Sequence, residues 1–138
     1  MKITTKGRYA IHILYDLAVN GTEHPVSVKE MATRQEISVK YTEQIISILN
    51  KAGYVSSSRG FQGGYRLTKP LNEYVIGDIL RLTEGSPVEC LATAENPCPK
   101  QQKCATIMLW EKVDKAIRDV VDHVTLQDLL DWQKQERC

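Results

Sequence analysis

Residues 27–67 read SVKEMATRQEISVKYTEQIISILNKAGYVSSSRGFQGGYRL, and the order of signals in this stretch decides the fold. Ser27 and Glu30 stand at the Ser-x-x-Glu spacing at which each side chain satisfies a free amide of a first helical turn. This predicts a short helix from Val28 to about Gln35, with Met31 and Ala32 turned inward. Glu36-Ile37 makes a turn and Ser38 is a good N-cap for a second helix. In that helix Tyr41, Ile45, Ile48, Leu49 and Ala52 recur at helical spacing until Gly53 supplies a left-handed stop. Two short helices joined by a tight turn are a helix-turn-helix pattern. Tyr54–Ser58 and Tyr65–Leu67 then read as paired strands. The glycine-rich run Arg59-Gly60-Phe61-Gln62-Gly63-Gly64 between them suits a hairpin with positive φ angles. A helix-turn-helix followed at once by a hairpin with a basic tip is the order of a winged helix.

Working outward, Ala10, Ile13, Leu14, Leu17 and Ala18 share one face of a helix running from near Arg8 to Asn20, closed by Gly21. Beyond Pro70 a short helix is expected over Ile76–Thr83, and Gly85-Ser86-Pro87 opens a loop. A long amphipathic helix from Ala105 to about His123 carries Leu109, Trp110, Val113, Ile117, Val120 and Val121. A last short helix starts at Thr125 and ends near Gln135. The expected architecture is mainly α with a small β-hairpin wing. Residues 1–84 form a winged helix-turn-helix DNA-binding domain, 85–104 a cysteine-containing loop, and 105–138 a dimerisation helix with a C-terminal helix. A continuous apolar stripe on a helix of roughly 27 Å, at 1.5 Å per residue, is hard to bury inside one small domain. It points to a homodimer, the state in which helix-turn-helix proteins usually read DNA.

The 138 residues suit one domain, or one domain with an extension. With 42% hydrophobic and 25% charged residues, the composition is that of a globular protein and excludes disorder. No apolar run approaches the roughly 20 residues of a membrane-spanning helix, so no membrane partner is expected. Met1–Lys6 lacks the apolar core of a signal peptide, so a cytoplasmic location is expected. The net charge of +1 hides an asymmetry. Residues 1–69 carry 10 Lys/Arg against 5 Asp/Glu, and residues 70–138 carry 8 against 12. A basic N-terminal half points to an anionic partner, of which double-stranded DNA is the commonest.

In a helix-turn-helix the first turns of the second helix meet base edges in the major groove. Here those turns offer Ser38, Lys40, Tyr41, Glu43 and Gln44. Gln44 can bond adenine through two hydrogen bonds, Glu43 can accept from the cytosine amino group, and Lys40 can reach guanine or phosphate. A carboxylate facing DNA costs affinity through phosphate repulsion, so Glu43 is expected to discriminate rather than grip. Arg59, beside Gly60, can enter a narrow minor groove and read its shape. Lys6, Arg8 and Ser57 are expected phosphate contacts, while Gly63 and Gly64 are geometric. Two copies would place their reading helices roughly 34–36 Å apart, or a multiple of that, on an imperfect palindrome.

Cys90, Cys98 and Cys104 cluster within fifteen residues, and Cys138 stands alone as a free surface thiol. A local cluster suits metal binding or redox chemistry better than a secreted disulfide framework. Thiolates are soft ligands for iron–sulfur clusters, zinc or copper(I). The Cys-x7-Cys-x5-Cys spacing, wider than the close pairs of zinc sites, better suits a larger exposed cluster. Lys100 and Lys103 would favour the thiolate forms. No nucleophile or metal arrangement involves His12, His24 and His123, and no phosphate-binding glycine loop is present, so an enzyme is not expected.

Lys6-Gly7-Arg8-Tyr9-Ala10, Tyr41-Thr42-Glu43-Gln44 and Arg59-Gly60-Phe61-Gln62-Gly63-Gly64-Tyr65, in this order and spacing, resemble the Rrf family of bacterial winged-helix transcription regulators. The cysteine loop followed by Leu109-Trp110 and Val124-Thr125-Leu126 resembles its iron–sulfur branch. That resemblance implies a homodimeric regulator, a repressor, whose operator binding is controlled by a 2Fe-2S or 4Fe-4S cluster on Cys90, Cys98 and Cys104. It would sense iron–sulfur status, oxygen or nitric oxide. The resemblance also places Arg59 in the minor groove. The chain departs from the branch in three places. The first cysteine gap holds seven residues rather than five, closer to nitric-oxide-sensing relatives. The branch's His three residues after the third cysteine is here Ile107. The carboxylate that some relatives supply from the first helix is here Arg8. The fourth ligand is left among His12 of the partner subunit, Glu89 or Glu95 of the loop, and a small thiol or water. Within the same fold, a cluster-free regulator using thiol oxidation or zinc is the alternative.

Overall fold

A computed structural model describes residues 3–60, 63–85 and 105–136. The first helix, α1 (Thr5–Asn20), begins three residues earlier than its apolar periodicity suggests. Thr4, at its N-cap, makes no capping bond with its own side chain. Instead the Thr4 N–H and hydroxyl both donate to one carboxylate oxygen of Glu84. Gly7 leaves room for that carboxylate, because a Cβ at position 7 would collide with it. A low-propensity glycine inside a helix is thereby explained by a tertiary contact with a residue at the far end of a later helix. The expected inward face is confirmed, since Ala10, Ile13, Leu14, Leu17 and Ala18 are all buried.

The helix-turn-helix follows as α2 (Val28–Gln35) and α3 (Val39–Lys51). Ser27 and Glu30 form the expected capping box, and Met31 and Ala32 are buried. Glu36 closes α2 at φ 56°, a left-handed conformation unusual for a residue with a side chain. Ile45 and Leu49 are fully buried and Ile48 half-buried, but Ala52 is exposed and Ile46 takes the inward place instead. Gly53 makes the expected left-handed stop at φ 82°.

The wing is the antiparallel pair β1 (Val55–Ser58) and β2 (Gly64–Leu67), with Val55 opposite Leu67 and Ser58 opposite Gly64. It is laid against the body by a bridge between Val26 and Tyr65, whose main chains exchange bonds of 3.0 and 2.8 Å. Gly64 is needed there, since a Cβ would run into the Val26 carbonyl. A 3₁₀ turn, Leu71–Glu73, leads into α4 (Ile76–Glu84).

α5 (Ile107–Val121) is joined to α4 by Arg81, which lies 2.7 Å from Asp122 and 2.9 Å from Asp78. These two carboxylates, Asp122 first, push the Arg81 pKa further above its ordinary value. α6 (Leu126–Glu136) turns back onto the body. The Ile76 N–H donates to the Val124 carbonyl, the Leu126 N–H donates to that of Tyr74, and Leu126 is fully buried in the central core. The apolar stripe of α5 is only partly covered within one chain: Leu109 is 52% exposed, Trp110 37% and Val120 62%, while Val113, Ile117 and Val121 are half-buried, and Met108 beside it is 65% exposed. Trp132 of α6 is also half exposed. Among the described residues, no helix is long and apolar enough to cross a membrane.

Candidate nucleic-acid interface

The outward face of α3 carries Lys40, Glu43, Gln44 and Ser47, all exposed. No ion pair ties up Glu43 among the described residues. Lys40 stands three residues before it on the same helix, but no ion pair joins the two, so the Glu43 carboxylate stays available on the surface. Two of the expected base-reading residues are partly committed to structure. Ser38 accepts from the Tyr41 N–H at 3.0 Å as the α3 N-cap. Tyr41 is half-buried, its ring standing edge-on to Tyr9 of α1 at 6.1 Å between centroids. Tyr9 in turn lies 6.0 Å from the ring of His12. This aromatic contact sets the first turns of α1 beside the first turn of α3. At the same end of α1, Lys6 is half-buried and Arg8 exposed.

The other expected contacts sit apart on the hairpin. Ser57 on β1, then Arg59 and Gly60, are exposed, and Gly60 has φ 111° with open space around it. Arg66 on β2 also projects a cation from the wing, and it donates to the Glu23 carbonyl at 3.1 Å. The sequence reading passed over Arg66, whose only signal was its place in a strand paired with a serine-rich one.

A second feature that sequence reasoning missed fixes the helix-turn-helix itself. Asp16 of α1 is 3% exposed, and its carboxylate accepts from Arg34 Nε at 2.8 Å, Arg34 Nη2 at 2.7 Å and Gln35 Nε2 at 3.2 Å. This two-pronged grip pins the last turn of α2 to α1. The Asp16 carboxylate raises the Arg34 pKa further, which holds the guanidinium charged. An acidic residue on an otherwise apolar helix face was the available signal.

Cys90, Cys98 and Cys104, with Glu89, Glu95, Lys100 and Lys103, lie outside the described residues, as do Cys138 and the wing-tip residues Phe61 and Gln62. Among the described residues no three His, Cys, Asp or Glu side chains are grouped to hold a metal ion. Ile107, where the branch has a His, is half-buried at the start of α5, and His12 is exposed on α1.

A helix-turn-helix with an exposed polar reading face, buttressed by a β-hairpin wing, defines a winged-helix transcription regulator. The chain belongs to the Rrf2 family, whose model, described as an iron-dependent transcriptional regulator, matches residues 3–132. Its relatives carry the names of regulators and not of enzymes. It is 43% identical to protein rrf2 of Nitratidesulfovibrio vulgaris, over 94% of this chain and 87% of that protein. With the transcriptional regulator CymR of Bacillus subtilis it shares 40% identity, over 99% of this chain and 95% of the other. Among solved structures, IscR of T. potens superimposes with a TM-score of 0.81 at 40% identity, covering 100% of this chain and 92% of that one.

Proposed function

We propose that the chain works as a homodimeric repressor that binds a palindromic double-stranded DNA operator and reports iron–sulfur status, oxygen or nitric oxide. The exposed reading face of α3 carries the DNA-binding part of this reading. In the proposed contacts Lys40, Glu43 and Gln44 meet base edges, with Ser38 and Tyr41 ordering the first turn and adding contacts at its edge. Lys6, Arg8 and Ser57 meet phosphates, and Arg59 with Gly60 enters the minor groove. The three-part division into 1–84, 85–104 and 105–138 is a division of labour between reading, sensing and pairing. The partly uncovered α5 stripe supports pairing with a second copy.

For sensing, the donor set fits an iron–sulfur cluster. Cys90, Cys98 and Cys104 supply three soft thiolates, and the fourth position is assigned to His12 of the partner subunit. Its exposure on α1 leaves it free to be reached from outside its own fold. Such a cluster, when bound, would supply an iron that reacts with oxygen or nitric oxide. The chain's own contribution is positional, because the cysteine segment runs directly from α4 into α5. The likeness to Staphylococcus aureus CymR, 38% identical and solved in an oxidized form, favours a second reading in which the same cysteines act through thiol oxidation or zinc.

Anaerobic purification with iron and sulfide analysis separates the two. Brown protein with stoichiometric iron and sulfide, bleached by Cys98→Ala, is expected. Colourless, iron-free protein after attempted reconstitution would leave the thiol or zinc switch.

A further inference from the structure

We infer that Tyr74 is the positioning residue of the wing, holding its base in a fixed place relative to the C-terminal arm. The inference rests on the reading that Arg59 at the wing tip contacts DNA. Tyr74 lies just after the 3₁₀ turn and is fully buried, yet its hydroxyl is completely satisfied by the two ends of the hairpin. It donates to the Tyr54 carbonyl, immediately before β1, at 2.6 Å. It accepts from the Thr68 and Lys69 N–H groups, immediately after β2, at 2.8 and 3.2 Å. One phenol therefore clamps both strands where they leave the body, using its single donor and both acceptor sites.

The surroundings stiffen this clamp. The Tyr54 ring packs on Tyr74 with centroids 5.6 Å apart, and Lys69 Nζ caps the outer face of Tyr54 at 4.7 Å. Thr68 Oγ1 closes the junction by donating to the Gly53 carbonyl at 2.6 Å. The main chain of Tyr74 is in turn pinned by the arm. Its carbonyl accepts from the Leu126 N–H at 2.9 Å, Val75 bridges Thr125, and the Ile76 N–H donates to Val124 at 2.9 Å. Tyr74 thus joins the hairpin on one side to the α5–α6 corner on the other. The Val26–Tyr65 bridge holds the middle of the hairpin, and Tyr74 fixes the base about which the tip would otherwise swing.

The test is a double-mutant cycle between Arg59→Ala and Tyr74→Phe, which keeps the ring and removes only the hydroxyl. The probe is a duplex fragment selected by this chain from a random pool. Arg59→Ala alone is expected to weaken binding about tenfold, as loss of a minor-groove arginine should. Tyr74→Phe should weaken it comparably, and adding Arg59→Ala to Tyr74→Phe should change it less than threefold. In parallel, the Thr68 and Lys69 amides should exchange faster in Tyr74→Phe while the α1 amides keep their protection, which shows that the body remains folded. No effect of Arg59→Ala in the parent chain would overturn the wing reading and this inference with it. An undiminished Arg59→Ala effect in the Tyr74→Phe background, or unchanged Thr68 and Lys69 exchange, would overturn the inference alone.

Discussion

Arg34 and Asp16 show how much can hang on a pair of side chains. The carboxylate is almost completely enclosed while the guanidinium keeps 38% of its side-chain surface in solvent. Removing the two partners is therefore not equivalent. Arg34→Ala strands a buried charge with only Gln35 to bond it, a situation that costs about 3–5 kcal/mol when both partners are enclosed. Solvent screening on the exposed side lowers the expectation to about 2–3 kcal/mol. Urea unfolding should show this as a lower midpoint at unchanged slope. Arg34→Lys should recover less than half of the loss, since an ammonium cannot reproduce the two parallel bonds. An acid on an apolar helix face marked Asp16 in the sequence, but its partner was not legible there, because eighteen residues separate the two charges and nothing local links them. The same holds for Tyr74, which reads as one more aromatic before a short helix until its hydroxyl is seen between the two ends of the wing. Lys40, Glu43 and Gln44 were legible because surface exposure at the start of α3 follows from the periodicity of its buried face.

At the scale of elements the sequence was far more open. The capping box marked the start of α2, and Ser38 and Gly53 marked the ends of α3, because caps are chemistry between residues three or four apart. The start of α1 was misplaced for the opposite reason: the group that caps it, Glu84, comes from the end of another helix. Gly53 offers a clean measurement of a local stop signal. It sits at φ 82° with nothing near the position of a Cβ, so a side chain there meets strain but no collision. Gly53→Ala should cost about 1–2 kcal/mol, the penalty of the left-handed region for an L-residue. That loss should appear in thermal unfolding without any change in the exposed face of α3. Operator affinity measured well below the unfolding temperature should therefore be preserved.

For the whole molecule the expected stripe on α5 is present, and a single chain leaves it partly open. Val120→Glu, at a position 62% exposed, should leave the monomer folded while placing a charge in the proposed helix-to-helix contact. Sedimentation should then show monomer at concentrations where the parent chain is dimeric, with at least tenfold weaker operator binding. A Val120→Glu chain that remained dimeric would place the contact between copies elsewhere. Amphipathic periodicity showed that this stripe existed but could not show that α6 folds back, because the ties at Tyr74, Ile76 and Leu126 join segments some fifty residues apart. That return has a consequence in time. Leu126 fills the centre of the core whose other walls come from residues 10–79. The reading head therefore cannot close behind its own synthesis. At 5–20 residues per second, about 2–8 s pass between the making of residue 84 and that of residue 126. Throughout that interval the growing chain holds an unfinished head, and the stretch that completes it includes α5, the helix proposed to recruit a second copy.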